Sequence, residues 1–188
     1  MGRVLAVIPA RYGSSRFPGK PLVRLLGEPM LAHVVARVSA AACFAGIVVA
    51  TDDDRIAAVA RAAGAMVAMT GDCRSGTDRV AAAAATLAAD IIVNVQADEP
   101  ALPPENLRIV TGYLCDHPDV PLATLSLPAS AADMTDPNAV KVVCDLRGRA
   151  LYFSRAPIPY PRNPAAGLAR RHVGLYAFRR EALFAFTA

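Results

Sequence analysis

The sequence predicts an α/β protein in which helices cover both faces of a mostly parallel sheet, giving three layers. Short apolar runs alternate four times with segments whose apolar residues recur at helical spacing. The links between them are short, and this alternation calls for right-handed crossovers between parallel strands. After about residue 138 strands follow one another without helices of comparable length, which predicts a smaller antiparallel β region within a single domain of residues 1–188.

The first predicted elements are a buried strand, a helix and a second buried strand. Val4–Pro9 is an apolar run that stops at a proline, as a fully buried parallel strand does. An irregular stretch rich in Gly, Ser and Pro follows it. Apolar residues then recur at helical spacing from Met30 to Val38 and predict an amphipathic helix over residues 29–42, with proline in its first turn. Gly46–Thr51 is the second buried strand.

Helix and strand continue to alternate through the rest of the chain. Asp52, Asp53 and Asp54 supply an N-cap and an acidic first turn for a helix that ends at Ala63. The remaining predicted elements are strands at residues 65–69, 91–96, 122–127, 140–145, 149–153 and 172–178, helices at residues 77–89 and 104–115, and the start of a helix at residues 180–188.

The composition excludes several classes of protein. The chain has 188 residues and a mass of 19.7 kDa, which is enough for one domain with a sizeable core. Alanine supplies 39 residues, so a mean hydropathy of +0.34 is no membrane signal, and no apolar stretch approaches the ~20 residues that span a bilayer.

A net charge of +4 without a dense basic run falls short of a nucleic-acid footprint. Four cysteines without metal-ligand spacing predict reduced thiols. We expect a cytoplasmic protein with neither a nucleic-acid nor a membrane partner.

The loop after the first strand has a composition suited to a polyphosphate. Its glycines and serines expose N–H groups and hydroxyls, and Arg11, Arg16 and Lys20 bring three positive charges. Lys20 is one of only two lysines in a chain with 18 arginines. The loop is not a Walker A motif, because five residues rather than four separate Gly13 from Gly19, and it lacks the G-x-G-x-x-G spacing of dinucleotide-binding proteins. An ordinary solvated basic loop is the alternative.

A carboxylate after the fourth predicted strand is a second candidate. In an open parallel sheet, ligands collect beyond the carboxyl ends of the strands, and Asp98 follows the run at residues 91–96. A carboxylate facing a basic phosphate loop is suited to hold a hard divalent cation between protein and nucleotide phosphates, and Asp98 is a better candidate than Glu99. The alternative role, capping the next helix, is weakened because that helix begins several residues later.

Two further regions carry candidate ligands. Ser75–Arg79 is a turn of small residues before a helix, so that it offers N–H groups to a nucleotide, although Arg79 is equally suited to the helix surface. Arg155, His172 and Tyr176 lie on neighbouring predicted strands and would suit a polyhydroxylated acid. A lone histidine, however, is more often structural than a ligand.

Seven segments, taken in order, carry a family resemblance. They are residues 7–22 (VIPARYGSSRFPGKPL), 49–52 (VATD), 75–79 (SGTDR), 93–100 (VNVQADEP), 138–143 (NAVKVV), 150–155 (ALYFSR) and 171–176 (RHVGLY). Together they strongly resemble the 3-deoxy-manno-octulosonate cytidylyltransferase family, also called CMP-KDO synthetases, over essentially the whole chain. The first segment alone is shared with other sugar nucleotidyltransferases. The resemblance implies a Rossmann-like nucleotidyltransferase fold.

The resemblance also implies a reaction and a set of site residues. CTP and the sugar acid KDO (3-deoxy-manno-octulosonate) would give CMP-KDO and pyrophosphate, with magnesium, for lipopolysaccharide biosynthesis in a homodimeric enzyme. Arg11, Lys20 and Asp98 would be catalytic, with Lys20 on the leaving pyrophosphate and Asp98 on magnesium. The implied CTP-binding residues are Arg11, Ser14, Ser15, Lys20, Ser75, Gly76, Thr77, Arg79 and Gln96. The implied KDO-binding residues are Arg155, His172 and Tyr176, with Arg155 suited to the carboxylate.

Two departures from the family pattern modify these expectations. Ala97 stands where the family has glycine, which suggests positive φ or a close backbone approach to the nucleotide. We therefore expect Ala97 to lower activity, and strain there would cost about 1 kcal/mol. Family members also continue for roughly another quarter of their length, in a portion with further KDO contacts and a Gly-Val-Asp-Thr-Pro-type segment that carries a second magnesium aspartate. We expect this chain to be a fragment that is impaired in turnover.

The sequence leaves two other functions open. A cytidylyltransferase for a related sugar acid, such as 8-amino-KDO or a sialic acid, would carry the same phosphate loop, because discrimination lies in the sugar pocket. A non-catalytic nucleotide-binding relative would also retain these motifs.

Overall fold

The computed structural model describes residues 2–13, 17–160, 162 and 169–188. The chain divides into two compact units. The first unit comprises Met1–Ala123 and Leu175–Ala188, and the second comprises Thr124–Gly174. No helix in the described part of the chain has the length and apolar character needed to cross a membrane.

Ten strands and six helices are present among the described residues. The strands are β1 (Val4–Pro9), β2 (Arg24–Leu25), β3 (Glu28–Pro29), β4 (Gly46–Thr51), β5 (Met66–Met69), β6 (Ile91–Asn94), β7 (Leu122–Pro128), β8 (Lys141–Cys144), β9 (Ala150–Ser154) and β10 (Arg170–Arg179). The helices are α1 (Met30–Ala41), α2 (Asp54–Ala62), α3 (Gly76–Ala84), α4 (Pro104–Asp116), α5 (Ala131–Thr135) and α6 (Arg180–Thr187), and a short 3₁₀ turn spans Lys20–Leu22.

The first unit is built on a parallel sheet whose centre is β1. The strand order is β5-β4-β1-β6, and Val7 of β1 lies opposite Val48 on one side and Asn94 on the other. The carboxyl-terminal part of β10 adds an antiparallel strand beside β6, with Tyr176 opposite Asn94. Residues 4–8 of β1 are buried, as expected for an apolar run that is covered on both faces. Helix α1 packs against α2 and α4, while α3 packs against α6, so helices cover both sides of the sheet.

The second unit is antiparallel. Strands β8 and β9 pair with Val142 opposite Phe153, and Arg170 at the start of β10 lies opposite Val142. Strand β7 also pairs with β10. Lys141 is fully buried at the start of β8, and its Nζ atom donates to the carbonyls of Asp136 and Ala139 at 3.0 and 2.7 Å. These two bonds satisfy a charge that would otherwise destabilise the interior.

The predicted α/β class, the parallel series and the antiparallel region after residue 138 are confirmed. Two short features, the β2–β3 hairpin and α5, were not predicted, because elements of two to five residues carry too little periodicity. Helix α3 ends at Ala84, before the predicted end at residue 89. Beyond its end, Arg180 donates to the carbonyls of Leu87 and Ala85, which stabilises the non-helical backbone there.

Candidate active site

A cavity of about 320 Å³ lies beyond the carboxyl ends of β1 and β6 in the first unit. This is the edge of a parallel sheet at which ligands are expected. Its lining residues come from the loops after both strands, from the 3₁₀ turn and from the start of α3. They are Pro9, Ala10, Arg11, Lys20, Pro21, Cys73, Ser75, Gly76, Arg79, Gln96, Ala97 and Asp98.

The loop after β1 is closed at its base by a backbone hydrogen bond. The N–H group of Gly19 donates to the carbonyl of Tyr12 at 2.8 Å, and Gly19 has a φ of +70°. This left-handed conformation, which glycine adopts at little cost, directs the chain into the 3₁₀ turn that begins at Lys20. Pro21 is buried beneath the turn. Lys20 is thereby held at the wall of the cavity, and its predicted binding of phosphate stays a prediction. The predicted ligands Ser14 and Ser15, together with Arg16, lie outside the described residues.

Lys20 and Asp98 form an ion pair across the cavity. The Nζ atom of Lys20 lies 2.5 Å from Oδ2 of Asp98, and the two side chains are 40% and 50% exposed. Both charged groups therefore remain accessible to a ligand that enters from solvent. Because α4 begins only at Pro104, Asp98 does not cap that helix, and the capping alternative is wrong.

The carboxylate that lines the cavity does not form a metal centre by itself. Among the described residues, no three His, Cys, Asp or Glu side chains are grouped closely enough to hold a metal ion. Asp98 contributes one half-exposed carboxylate. A single carboxylate is typical of Mg²⁺ sites that are completed by substrate phosphates and water rather than by protein ligands alone.

The amino terminus of α3 forms another wall of the cavity. Ser75 is its N-cap, and the Ser75 hydroxyl accepts a hydrogen bond from the N–H group of Asp78 at 3.1 Å. Gly76 is the first helical residue and lines the cavity. The unpaired N–H groups and the positive end of the helix dipole favour an anion here.

Arg79 lies one turn into α3 and is almost completely buried, at 2% exposure. Its guanidinium donates to Oδ2 of Asp52 at 2.7 Å and to the hydroxyl of Thr70 at 2.5 Å. The alternative that Arg79 is a surface residue of the helix is therefore wrong. Asp53, not Asp52, caps α2, with its carboxylate accepting from the N–H groups of Arg55 and Ile56. Asp52 is thus left to neutralise Arg79 at the cavity wall.

A chain of side-chain amides and hydroxyls connects Gln96 to α3. The Nε2 group of Gln96 donates to Oδ1 of Asn94 at 3.3 Å, and Nδ2 of the fully buried Asn94 donates to the hydroxyl of Thr77 at 3.3 Å. Gln96 lines the cavity, whereas Thr77 is not among the lining residues. The predicted roles of both residues toward CTP stay predictions.

Two of the residues predicted to bind KDO belong to the second unit. The Arg155 guanidinium donates to the carbonyl of Pro137 at 2.6 Å. Nε2 of His172 lies 2.9 Å from the hydroxyl of Thr124, and the Phe153 ring meets the His172 ring edge-on at a centroid distance of 5.0 Å. Burial lowers the pKa of His172 below its ordinary value, which favours the neutral imidazole.

The third predicted KDO ligand, Tyr176, belongs to the first unit. It lies on β10 opposite Asn94, and its ring centroid is 6.2 Å from that of Phe178. Burial raises the pKa of the Tyr176 phenol, so the group stays protonated at neutral pH. Its predicted contact with the sugar acid stays a prediction, as do those of Arg155 and His172.

The backbone at Ala97 is not strained. Among the described residues other than glycine, positive φ values occur only at Leu26 and Ala42. The positive-φ explanation for a glycine at this position is therefore wrong for this chain. Ala97 does line the cavity, so a close approach of the nucleotide is the explanation that remains.

The residues that hold the candidate ligands in place were not predicted from the sequence. Asp52 and Thr70 hold Arg79, and Asn94 holds Gln96. For Asn94 a signal existed, since a polar side chain inside an otherwise apolar strand needs a hydrogen-bond partner.

The chain matches known proteins over nearly its whole length. Residues 5–188 match the family model described as "Cytidylyltransferase". The 3-deoxy-manno-octulosonate cytidylyltransferase of Escherichia coli is 46% identical over 184 residues, which cover 97% of this chain and 75% of that protein. The enzyme of the same name from Anaeromyxobacter dehalogenans is 50% identical over 191 residues, covering 100% of this chain and 78% of that protein.

A solved structure has the same fold. The CMP:2-keto-3-deoxy-manno-octonic acid synthetase complexed with CTP superposes with a TM-score of 0.93 at 45% sequence identity, covering 98% of this chain and 77% of that chain. Sequence identities of 45–50% over nearly the whole chain indicate a shared family and not only a shared fold. The chain therefore belongs to the cytidylyltransferase family and, within it, to the 3-deoxy-manno-octulosonate cytidylyltransferases.

Proposed function

We propose that this chain transfers the cytidylyl group of CTP to KDO, giving CMP-KDO and pyrophosphate for lipopolysaccharide biosynthesis. The anomeric hydroxyl oxygen of KDO forms the new bond to the α-phosphorus of CTP. The bond between that phosphorus and the oxygen bridging to the β-phosphorus breaks, and the hydroxyl proton is released. Family membership supports this reaction, and the cavity at the ends of β1 and β6 supplies groups suited to it.

The observation that carries the proposal is the gathering of cationic groups and helix N–H groups around one cavity. Arg11 and Lys20 line it from the loop after β1, and the amino terminus of α3 lines it from another element. A triphosphate carries several negative charges, so neutralising and orienting them is the main task of such a site.

Each charged residue has a distinct proposed role. Lys20 neutralises the charge that develops on the leaving pyrophosphate, and Arg11 binds the phosphates beside it. The first turn of α3, with Ser75 and Gly76, binds along the nucleotide. The ion pair between Lys20 and Asp98 is exposed enough for CTP phosphates to compete for the lysine when they bind.

Magnesium is the proposed cofactor. Asp98 fits this role because its carboxylate is half exposed at the cavity and faces the phosphate-binding residues. Asp98 would hold the ion together with the phosphates of CTP. When bound, Mg²⁺ would offset phosphate charge during the displacement. The second magnesium-binding aspartate that the family resemblance implies stays a prediction.

We propose that the functional form is a homodimer in the cytoplasm. Strand β9 exposes three adjacent apolar side chains, with Leu151 65%, Tyr152 61% and Phe153 41% exposed. Strand β9 stands at one end of the strand order of the sheet, and exposed apolar side chains on an edge strand are a hazard for an isolated monomer that a second copy of the chain would cover. The cytoplasm is where CTP is available and where free cysteines such as the four of this chain stay reduced.

Pyrophosphate release from CTP tests the function directly. Parallel reactions contain KDO, 8-amino-KDO, a sialic acid or no acceptor, and the KDO reaction is repeated with UTP, ATP or GTP in place of CTP. We expect release only with CTP and fastest with KDO. Faster turnover of another acid would identify a different sugar substrate. Tight CTP binding without release in any reaction would instead identify a non-catalytic nucleotide-binding protein.

A further inference from the structure

We infer that Tyr12 is a positioning residue that fixes Lys20 in the cavity through its contacts with Arg55 and Gly19. The inference rests on the proposed function, because it concerns the lysine to which that function assigns the leaving group. Tyr12, Arg55, Asp53 and Gly19 together are called the Tyr12 brace below.

One side of the brace is a cation–π contact. The Arg55 guanidinium lies over the Tyr12 ring, with its Cζ atom 3.7 Å from the ring centroid. Arg55 is itself held by Asp53, which accepts from Nε at 3.1 Å and from Nη2 at 2.6 Å. Because Asp53 is also the N-cap of α2, the guanidinium is tied to the end of a helix and cannot swing freely over the ring.

The other side of the brace is the close contact between Tyr12 and Gly19. A Cβ atom added to Gly19 would lie 2.9 Å from Cε2 of the Tyr12 ring, so the glycine backbone packs directly against the ring. The backbone of the same two residues is joined by the 2.8 Å hydrogen bond from Gly19 N–H to the Tyr12 carbonyl. Tyr12 therefore constrains Gly19 through both its ring and its backbone.

These constraints act on Lys20 because Gly19 precedes it. Gly19 sets the direction in which the 3₁₀ turn begins, and the Lys20 side chain leaves from the first residue of that turn. From this backbone position Lys20 lines the cavity, and its Nζ atom lies 2.5 Å from Oδ2 of Asp98. Since a displacement of about 1 Å in a reacting group can cost 10²-fold in rate, a ring that fixes this backbone affects catalysis without touching substrate.

A contribution to folding alone does not explain the brace. The Arg55 side chain is 60% exposed, and exposed ion pairs contribute little to stability. The energetic effect of the stack on the folded chain is therefore small, whereas its geometric effect falls on Lys20.

The test compares Tyr12→Ala, Tyr12→Phe and Arg55→Ala with wild type. Tyr113→Ala is the matched control, because Tyr113 is an exposed tyrosine that also stacks on a basic side chain, that of His117. One readout is the steady-state rate of pyrophosphate release. The other is the rate at which acetic anhydride acetylates Lys20, followed by mass spectrometry of peptides. This reagent suits the chain because its only other lysine, Lys141, is fully buried.

We expect Tyr12→Ala to lower kcat by about tenfold or more with a smaller change in KM for KDO. Tyr12→Phe keeps the ring and should recover most of that loss, and Arg55→Ala should fall between the two. Acetylation of Lys20 should be faster in Tyr12→Ala, as in Asp98→Asn, which releases the same lysine from its ion pair.

Equal kcat and equal acetylation rates in Tyr12→Ala and wild type would overturn the inference. So would a Tyr12→Phe variant as impaired as Tyr12→Ala. If wild type releases no pyrophosphate, the proposed function fails, but the acetylation rates still decide whether Tyr12 fixes Lys20.

Discussion

The amine of Lys20 lies 2.5 Å from the carboxylate of Asp98, although the two residues are 78 positions apart in the chain. The pair joins the loop after β1 to the loop after β6, and both residues line the cavity at the carboxyl ends of these strands. Because neither side chain is buried, the pair is suited to exchange partners when a charged ligand binds.

The first prediction concerns this pair. We expect Lys20→Met and Asp98→Asn each to lower kcat/KM by about 10²-fold or more, because each removes a charge that we propose acts on the reacting phosphates. Each change should alter the free energy of unfolding by no more than about 1 kcal/mol, since the pair is exposed. Pyrophosphate release and urea unfolding measure the two effects. A variant with a clearly lower free energy of unfolding but normal turnover would show that the pair stabilises the fold and is not needed for catalysis.

The second prediction concerns the buried Arg79 and its partner Asp52, whose side chain is 33% exposed. Asp52→Ala leaves a guanidinium that is 2% exposed without its carboxylate and should lower the free energy of unfolding by about 3 kcal/mol. Glu105→Ala is the control, because the Glu105–Arg108 pair is exposed on α4 and should matter by less than about 1 kcal/mol. Urea titrations of both variants measure the difference. Equal losses of unfolding free energy in the two variants would mean that Asp52 does not stabilise the buried Arg79.

The third prediction concerns pH. Burial lowers the pKa of His172 in the folded protein below the ordinary value of 6.5. As the pH falls through 6.5, His172 becomes protonated in the unfolded chain but remains neutral in the folded chain. The free energy of unfolding therefore decreases until the pH reaches the lower pKa of the folded state. We expect wild type to lose more stability than His172→Gln between about pH 7.5 and pH 5.5. Parallel losses in urea titrations at the two pH values would show that His172 does not contribute.

The fourth prediction concerns Ala97. Because its φ is not positive, Ala97→Gly relieves no strain and should lower the free energy of unfolding by about 0.4–1 kcal/mol through the entropy of the unfolded chain. The same change removes a methyl group from the cavity wall. The added space should raise kcat/KM for CTP. Unfolding titrations and CTP kinetics check the two directions. An unchanged kcat/KM would mean that the methyl group does not crowd the nucleotide.

The fifth prediction concerns association. A glutamate at an exposed apolar position of β9, as in Tyr152→Glu, should convert a homodimer into a monomer of 19.7 kDa. Tyr113→Glu places the same charge at an exposed position on α4 and should remain dimeric. Light scattering during size-exclusion chromatography gives the masses. A monomeric wild type would refute the dimer.

Much of the fold follows from local sequence. Val4–Pro9 and Gly46–Thr51 were predicted with their observed bounds, because buried parallel strands are apolar throughout and end abruptly. The order of the strands in the sheet could not be predicted from local sequence. The antiparallel pairing of β10 with β6 joins segments far apart in sequence, and no local pattern specifies which strands become neighbours.

The site was predictable where it follows from the position of strand ends. Arg11, Lys20 and Asp98 were predicted from that rule, and the cavity brings them together. The residues that hold them, such as Asp52 beside Arg79 and Arg55 over Tyr12, depend on side-chain contacts between separate elements. Only the folded arrangement distinguishes a carboxylate that caps a helix from its neighbour that neutralises a buried arginine.

The reaction that we propose for this cavity is transfer of the cytidylyl group of CTP to KDO. A ³¹P NMR spectrum of wild type with CTP, KDO and Mg²⁺ tests it most directly, with Lys20→Met as the comparison. We expect the three CTP resonances to be replaced by one phosphodiester resonance of CMP-KDO and an equimolar amount of pyrophosphate, far more slowly in the variant. A spectrum in which CTP persists, or in which only CMP and pyrophosphate form, would contradict it.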